Sequence, residues 1–351
     1  MASFLLSYVS CPKPISLTKD SGIDFSHRLC SFKINRVSFP AIKLSRRSTT
    51  MSVAPLDVRN IILDGYGYRQ RFNVRSYEAE TKNITIQSIF NFLEEASWNY
   101  VRLFWVYANE SGATRRMIKN DLRWVVSRME LQIDEYPNPG DQVDIDTWVG
   151  SSGKNGMRRD WEIKWADTGK VFARATSTWA MVNQKTRRVW KMPDEVRAEI
   201  SHSFIEKQAI IQDHPKKLCK IDDNARYVIS GLQPKRKDMD MNNCVSNKTY
   251  VDWMLEAIPD ECLNNYQLSK IILEYRSECK NSDVVQSISE LGEVGIIENG
   301  YQENIHMNVN TQGDELPNVR NNRYTHLLQV KGESKCEEIV RGETTWKKRL
   351  V

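Results

Sequence analysis

Two short clusters carry the side chains best suited to chemistry. The first is Asp240-Met241-Asn242-Asn243-Cys244, directly ahead of a helix expected to begin near Ser246 or Asn247. In an extended segment alternate side chains share a face, which would group Asp240, Asn242 and Cys244. The first-turn N–H groups of the helix would lie beside them, unpaired and able to hold a developing negative charge. Asp and Asn are also favoured as helix caps and turn formers, which is the structural alternative for the same residues. The second cluster is Glu278-Cys279. Strand alternation groups Cys279 with Ile271, Leu273 and Tyr275, and Glu278 with Glu274 and Arg276, so only a bulge would turn both into one pocket. Otherwise Cys279 reads as a small core residue and Glu278 as an exposed partner of Arg276. A free thiol with pKa about 8.5 is a few per cent thiolate at pH 7 and makes a poor base.

Helices and strands must position these groups. Ile86, Ile89, Phe90 and Leu93 follow the i, i+3, i+4, i+7 spacing of one helix face, with Glu94 and Glu95 after them. Val251, Met254, Leu255 and Ile258 repeat the spacing in a second helix that stops at Pro259. Alternating segments at Leu122 to Ile133 and Val143 to Trp148 follow the first helix, and Ile271 to Tyr275 and Val284 to Ile288 follow the second. An internal repeat connects the two halves. A polar turn leads into Asp141-Gln142-Val143 in one and Asp283-Val284-Val285 in the other, and each closes on Arg, three residues, Thr, Trp at Arg174 to Trp179 and Arg341 to Trp346. Asp and Trp are 38 residues apart in the first half and 63 in the second, the excess fitting a loop near Gly295 to Asn322. A connector falls around Gln208 to Asn224. The pattern predicts an α+β chain that uses one unit twice, a helix wrapped by an antiparallel sheet.

Charge and composition narrow the function. The net charge of +5 belongs to residues 1–50, which hold eight Lys/Arg against Asp20 and Asp24. Residues 51–351 carry 42 basic and 43 acidic groups, a balance that argues against nucleic acid as a partner. The tail is also rich in serine and free of glutamate, as organelle transit peptides are. No apolar run approaches the roughly 20 residues of a membrane helix. Beyond the tail, Cys219, Cys244, Cys262, Cys279 and Cys336 are odd in number and form no C-x-x-C pair. Neither a disulfide framework nor a metal site is suggested, and a reducing compartment fits.

Longer motifs resemble one family. Arg69-Gln70-Arg71-Phe72-Asn73-Val74-Arg75-Ser76-Tyr77-Glu78 is similar to the opening of the plant plastid acyl-acyl-carrier-protein thioesterases. So are Gly153-Lys154-Asn155-Gly156-Met157-Arg158-Arg159-Asp160-Trp161, Thr186-Arg187-Arg188, Asp238-Met239-Asp240-Met241-Asn242 and Glu274-Tyr275-Arg276-Ser277-Glu278-Cys279. The resemblance spans roughly residues 62–350. It implies tandem hot-dog domains, each a long helix wrapped by a curled antiparallel sheet. Residues 1–55 would be transit peptide and tail, 62–200 an N-terminal domain shaping the acyl pocket, 201–226 a linker and 227–351 the catalytic domain. The implied activity is hydrolysis of fatty acyl-acyl-carrier-protein thioesters in the plastid stroma, ending chain elongation, with no cofactor or metal.

By the resemblance, Asp240 and Glu278 handle the water, Asn242 orients, and Cys279 is a nucleophile or a pocket wall. Cys244 occupies the place of the family histidine, whose proton exchange near neutrality is worth roughly 10²–10⁴-fold. That substitution supports an alternative, a catalytically silent paralogue that binds acyl carrier protein or acyl chains. Other departures are Glu78-Ala79-Glu80, Tyr100 in place of a second histidine, and Arg115-Arg116, all around the first helix. Acyl carrier protein is acidic, so Lys154, Arg158, Arg159, Lys235, Arg236 and Lys237 are docking candidates. The sequence leaves a homodimer open. The Gly153 to Trp161 run is closer to the branch that favours saturated chains.

Overall fold

The computed structural model describes residues 60–80, 82–105, 113–211, 217–221, 225–240, 244–292, 322–331 and 336–349. The basic tail, Asn242, parts of the connector and nearly all of the loop expected at Gly295 to Asn322 lie outside the described residues.

In the first half, short β1 (Ile61–Ile62) pairs with β2 (Gly67–Asn73), and β3 (Ala79–Glu80) with β4 (Asn83–Ile84). α1 (Ile86–Phe104) and the short α2 (Arg115–Lys119) follow, then β5 (Leu122–Ile133), β6 (Gln142–Ser152), β7 (Gly156–Trp165), β8 (Val171–Asn183) and α3 (Asp194–Ile200). The second half contains β9 (Tyr227–Leu232), α4 (Asn247–Leu255), α5 (Asp260–Asn265), β10 (Tyr266–Tyr275), β11 (Val285–Leu291), β12 (Asn322–Lys331) and β13 (Cys336–Lys348).

α1 forms where the periodicity places it. The Thr85 hydroxyl caps it by accepting the Ser88 N–H, and Ile86, Ile89, Phe90, Leu93, Ala96 and Tyr100 make its buried stripe. That stripe lies on β2 and β6. The Trp161 indole on β7 donates to the Leu93 carbonyl at 3.2 Å and to Ser97 Oγ at 3.1 Å, fixing helix to sheet. The second helix is shorter than its apolar spacing suggests. α4 ends at Leu255, and Pro259 serves as N-cap of a separate α5. A proline disfavours helical backbone in the residue before it, which divides the segment. α4 sits on β11 and β12, and presses so closely on β13 that a Cβ at Gly342 would come within 2.8 Å of Met254 Sδ.

The principal sheet runs β1-β2-β6-β7-β8-β5-β10-β13-β12-β11-β9. Apart from β1 this order is a palindrome. β5 mirrors β10, β8 mirrors β13, β7 mirrors β12, β6 mirrors β11 and β2 mirrors β9. The halves join through the antiparallel β5–β10 pair, centred on Glu130 opposite Ile272. Local details repeat as well. Asp141 accepts the Asn138 N–H at 2.7 Å, as Asp283 accepts that of Lys280 at 2.8 Å. Trp179 donates to Ser177 at 2.8 Å and Trp346 to Thr344 at 2.9 Å, each from its i+2 position. Glu78 and Asp238 close matching 3₁₀ turns by accepting the N–H of Arg75 and Lys235, at 2.8 and 2.7 Å. The tandem hot-dog architecture is therefore built from one design used twice, with side chains diverging at the two helix N-termini.

Candidate active site

The segment leading into α4 is not extended. The Asp240 N–H donates to the Cys244 carbonyl at 2.8 Å, and the Cys244 N–H donates to Asp240 Oδ1 at 2.9 Å. An extended run of five residues would hold its ends roughly 13 Å apart, so residues 240 and 244 instead close a turn. Shared-face alternation does not apply, and Asp240 acts as a turn former as well as a candidate catalytic carboxylate. Met239 and Val245 bridge just outside the turn. Asn242 lies outside the described residues.

α4 begins directly after this turn. Its N-cap, Ser246, makes no side-chain cap hydrogen bond, and of the first-turn amides it is that of Thr249 that donates to the Ser246 carbonyl, at 3.1 Å. Those donors and the helix dipole favour negative charge beside Asp240 and Cys244.

Glu278 arrives from the other side. β10 ends at Tyr275, and the next two amides, Arg276 and Ser277, both donate to the Ile339 carbonyl at 2.7 and 3.2 Å. Two residues opposing one is the signature of a bulge. Even so, Glu278 and Cys279 diverge. Glu278 Oε1 accepts from the Cys244 thiol at 3.3 Å, whereas the Cys279 thiol points to the Lys280 carbonyl at 3.5 Å, in a core position only 2% exposed. Burial raises the Cys279 thiol to about 12. Burial, with Glu278 and Asp240 nearby, raises Cys244 to about 11. Both remain thiols at neutral pH. Cys244 is a hydrogen-bond donor that orients Glu278 rather than a base.

Glu278 is held by the other half of the chain. Its Oε2 accepts from Arg187 and lies 3.8 Å from Arg123 Nη2. Arg276, its expected neighbour in charge, turns instead toward Glu338 at 3.8 Å. Arg187 follows β8 in a tight turn with φ of 59°, a left-handed conformation that costs a non-glycine residue of order 1 kcal/mol. The Asn183 side chain stabilises this turn by accepting the amides of Lys185 and Thr186, at 3.1 and 2.9 Å. The sequence carried a mark for Arg187 in Thr186-Arg187-Arg188, and none for Arg123.

Among the described residues, no histidine restores what position 244 lacks. His202 is exposed just after α3. His326 is fully buried between Ser289 Oγ at 2.7 Å and Thr344 Oγ1 at 2.8 Å, and burial lowers it to about 3. Two docking candidates are also removed. Arg159 is 1% exposed with its guanidinium 4.7 Å over the Tyr100 ring, and Arg158 is turned onto Asp160 at 2.6 Å. Lys154, Lys235, Arg236 and Lys237 are exposed.

Models of two domains match the chain, the acyl-ACP thioesterase N-terminal domain over residues 65–200 and its C-terminal domain over residues 221–348. The chain belongs to the acyl-ACP thioesterase family. It is 38% identical over 302 residues to a chloroplastic palmitoyl-acyl carrier protein thioesterase of Arabidopsis thaliana, a match covering 86% of this chain and 68% of that protein. The corresponding Cuphea hookeriana protein is also 38% identical, over 85% of this chain and 66% of its own length. This chain thus spans about two thirds of those relatives. Identity is again 38% to an oleoyl-acyl carrier protein thioesterase of Arabidopsis thaliana, over 82% of this chain and 77% of that one. Relatives named for palmitoyl and for oleoyl substrates are therefore equally similar. The 12:0-ACP thioesterase from Umbellularia californica superposes with a TM-score of 0.69 at 32% identity, covering 81% of this chain and 98% of that one.

A cleft of about 570 Å³ opens at the N-terminus of α1, lined by Glu80, Thr85, Gln87, Asp252, Trp346 and Arg349 among others. Counting from the matched 3₁₀ turns, Glu80 corresponds to Asp240. The cleft is the twofold counterpart of the Asp240–Cys244 turn, at the opposite helix N-terminus.

Proposed function

We infer that this protein hydrolyses fatty acyl-acyl-carrier-protein thioesters in the plastid, releasing free fatty acid and the carrier protein. Family membership, over most of the chain, supports the reaction, and the chloroplastic relatives support the compartment. The observation that carries the site is the meeting of Asp240, Cys244 and Glu278 at the N-terminus of α4. In this reading Asp240 and Glu278 orient and activate water, and Asn242 orients the substrate. The first-turn amides of α4 hold the oxyanion formed on the thioester carbonyl. Cys279, a thiol turned into the core, is a wall of the pocket. The N-terminal half, residues 62–200, shapes the acyl pocket. The C-terminal half, residues 227–351, carries the carboxylates, and exposed Lys235, Arg236 and Lys237 receive the acidic carrier protein. The assembly that goes with this reading is a homodimer, and light scattering that gave the mass of a single chain would remove it.

Fatty acid release by the full chain from a panel of acyl-acyl-carrier-protein substrates tests the reaction. Turnover that Asp240→Ala abolishes is the expected result. Binding of acyl-acyl-carrier protein with no release, repaired by Cys244→His, would replace this reading with that of a silent paralogue, which the thiol at position 244 favours.

A further inference from the structure

The pairing of α1 with α4 brings another carboxyl group to the site. Gln87 on α1 donates to Asp252 on α4 at 2.5 Å. Two turns further along α1, Glu94 has Asp240 and Lys248 as its electrostatic neighbours, and Lys248 lies one turn earlier in α4 than Asp252. Contacts that advance along one helix and retreat along the other mean that the helices run antiparallel. Seven residues of α-helix rise about 10.5 Å. The same distance back from Asp252 reaches the neighbourhood of Val245, next to the turn that Asp240 and Cys244 close. Glu94 is half-buried there, while Glu95 beside it is exposed and engaged with Asn99 at 2.9 Å.

We propose that Glu94 of the N-terminal half is the proton-transfer residue of this site, doing the work that the family gives to the histidine Cys244 has replaced. The proposal rests on the thioesterase reading above and adds a residue to it. Water bonds through its oxygen to the thioester carbonyl carbon as one of its protons passes to the Glu94 carboxylate. The carbonyl electron pair moves onto oxygen, where the α4 amides hold it. When that pair returns, the C–S bond breaks and Glu94 passes its proton to the departing sulfur. The products are a carboxylic acid and the thiol of the carrier. The charged groups facing Glu94 suit this work. Burial and Asp240 raise its carboxyl to about 7, against the opposing pull of Lys248, and Glu95 adds a smaller push upward.

The test compares the full chain with Glu94→Gln, Glu95→Gln, Cys244→His and Glu94→Gln/Cys244→His. Glu94→Gln is expected to lower kcat about 100-fold with KM within about threefold, and to remove the rise in kcat through neutral pH. Glu95→Gln should keep both, and the double variant should recover turnover through its histidine. Stability gives a readout independent of activity. A carboxyl whose folded pKa is raised costs stability once it ionises, so Glu94→Gln should melt with its parent near pH 4.5 and above it near pH 8. Retention of kcat and of its pH dependence in Glu94→Gln would overturn the proposal, as would a kcat loss accompanied by lower melting temperature at every pH. Silence of the parent with activity in Cys244→His would overturn it while leaving the thioesterase scaffold standing. Silence in every variant would remove the thioesterase reading and this proposal together.

Discussion

At the scale of single residues, the site is defined by what each thiol and carboxylate can do with a proton. Cys244 and Cys279 are both held as thiols by burial and by neighbouring carboxylates. Thiolates, not thiols, react with alkylating agents, so iodoacetamide near pH 7.5 is expected to modify exposed Cys219 and Cys336 and to spare Cys244 and Cys279. Peptide mass spectrometry of the native protein reads this, and rapid labelling of Cys279 would restore it as a candidate nucleophile. Glu278 depends on its arginines. Arg187 is more than half exposed, so its ion pair adds little to stability. Its value is positional. Arg187→Ala should leave the melting temperature within a degree or two and lower kcat by up to about 100-fold, because a misplacement of about 1 Å can cost that order in rate. An unchanged kcat would show that Arg123 alone holds the carboxylate.

At the scale of elements, the seam between β5 and β10 ties the two halves into one molecule. Across it Arg128 Nη1 meets Glu274 Oε1 at 2.6 Å, and Lys270 meets the buried Glu130 at 2.9 Å. Glu274 also accepts the Leu218 amide at 3.2 Å, anchoring the connector to the seam. Removing one partner of a fully buried ion pair strands the other charge at about 3–5 kcal/mol, and the half-buried Arg128–Glu274 pair falls below that limit. Glu274→Ala, which also loses the Leu218 amide, should therefore lower the melting temperature by several degrees, while Arg116→Ala, whose pair with Glu195 is exposed, should change it little. Thermal unfolding followed by circular dichroism separates the two. Other elements owe their form to local chemistry. Pro259 divides the second helical segment, and Gly342 clears the space in which α4 reaches the sheet.

At the scale of the whole molecule, the two halves depend on each other. Glu278 of the second half is held by Arg123 and Arg187 of the first, so the second half alone would leave this carboxylate without those partners. Docking belongs to this scale as well. Lys235, Arg236 and Lys237 are exposed on the 3₁₀ turn whose last residue lies two positions before Asp240. Reversing all three to glutamate should cut kcat/KM for acyl-acyl-carrier protein at least tenfold at low salt, with a smaller effect at high salt, because charge steering is screened over about 10 Å at 0.1 M. Steady-state kinetics at two ionic strengths measures this, and salt-independent loss would point to disruption of the neighbouring turn instead.

Periodicity alone marked α1, because Ile86, Ile89, Phe90 and Leu93 repeat at helical spacing. Alternation marked β5 to its last residue, and the Asp141/Asp283 and Trp179/Trp346 matches exposed the repeat behind the palindromic sheet. The same string of residues identified the family and named Asp240 and Glu278. Tertiary structure decided the rest. It closed residues 240 and 244 into a turn, carried Cys279 away from Glu278 after a bulge, buried Arg159 beneath Tyr100, and brought Arg123 and Arg187 from the first half to Glu278 of the second. The physical reason is range. Helical and strand periods and turn chemistry are written within a few neighbouring residues, whereas ion pairs and proton affinities depend on which distant groups a folded sheet sets side by side and how much water it excludes.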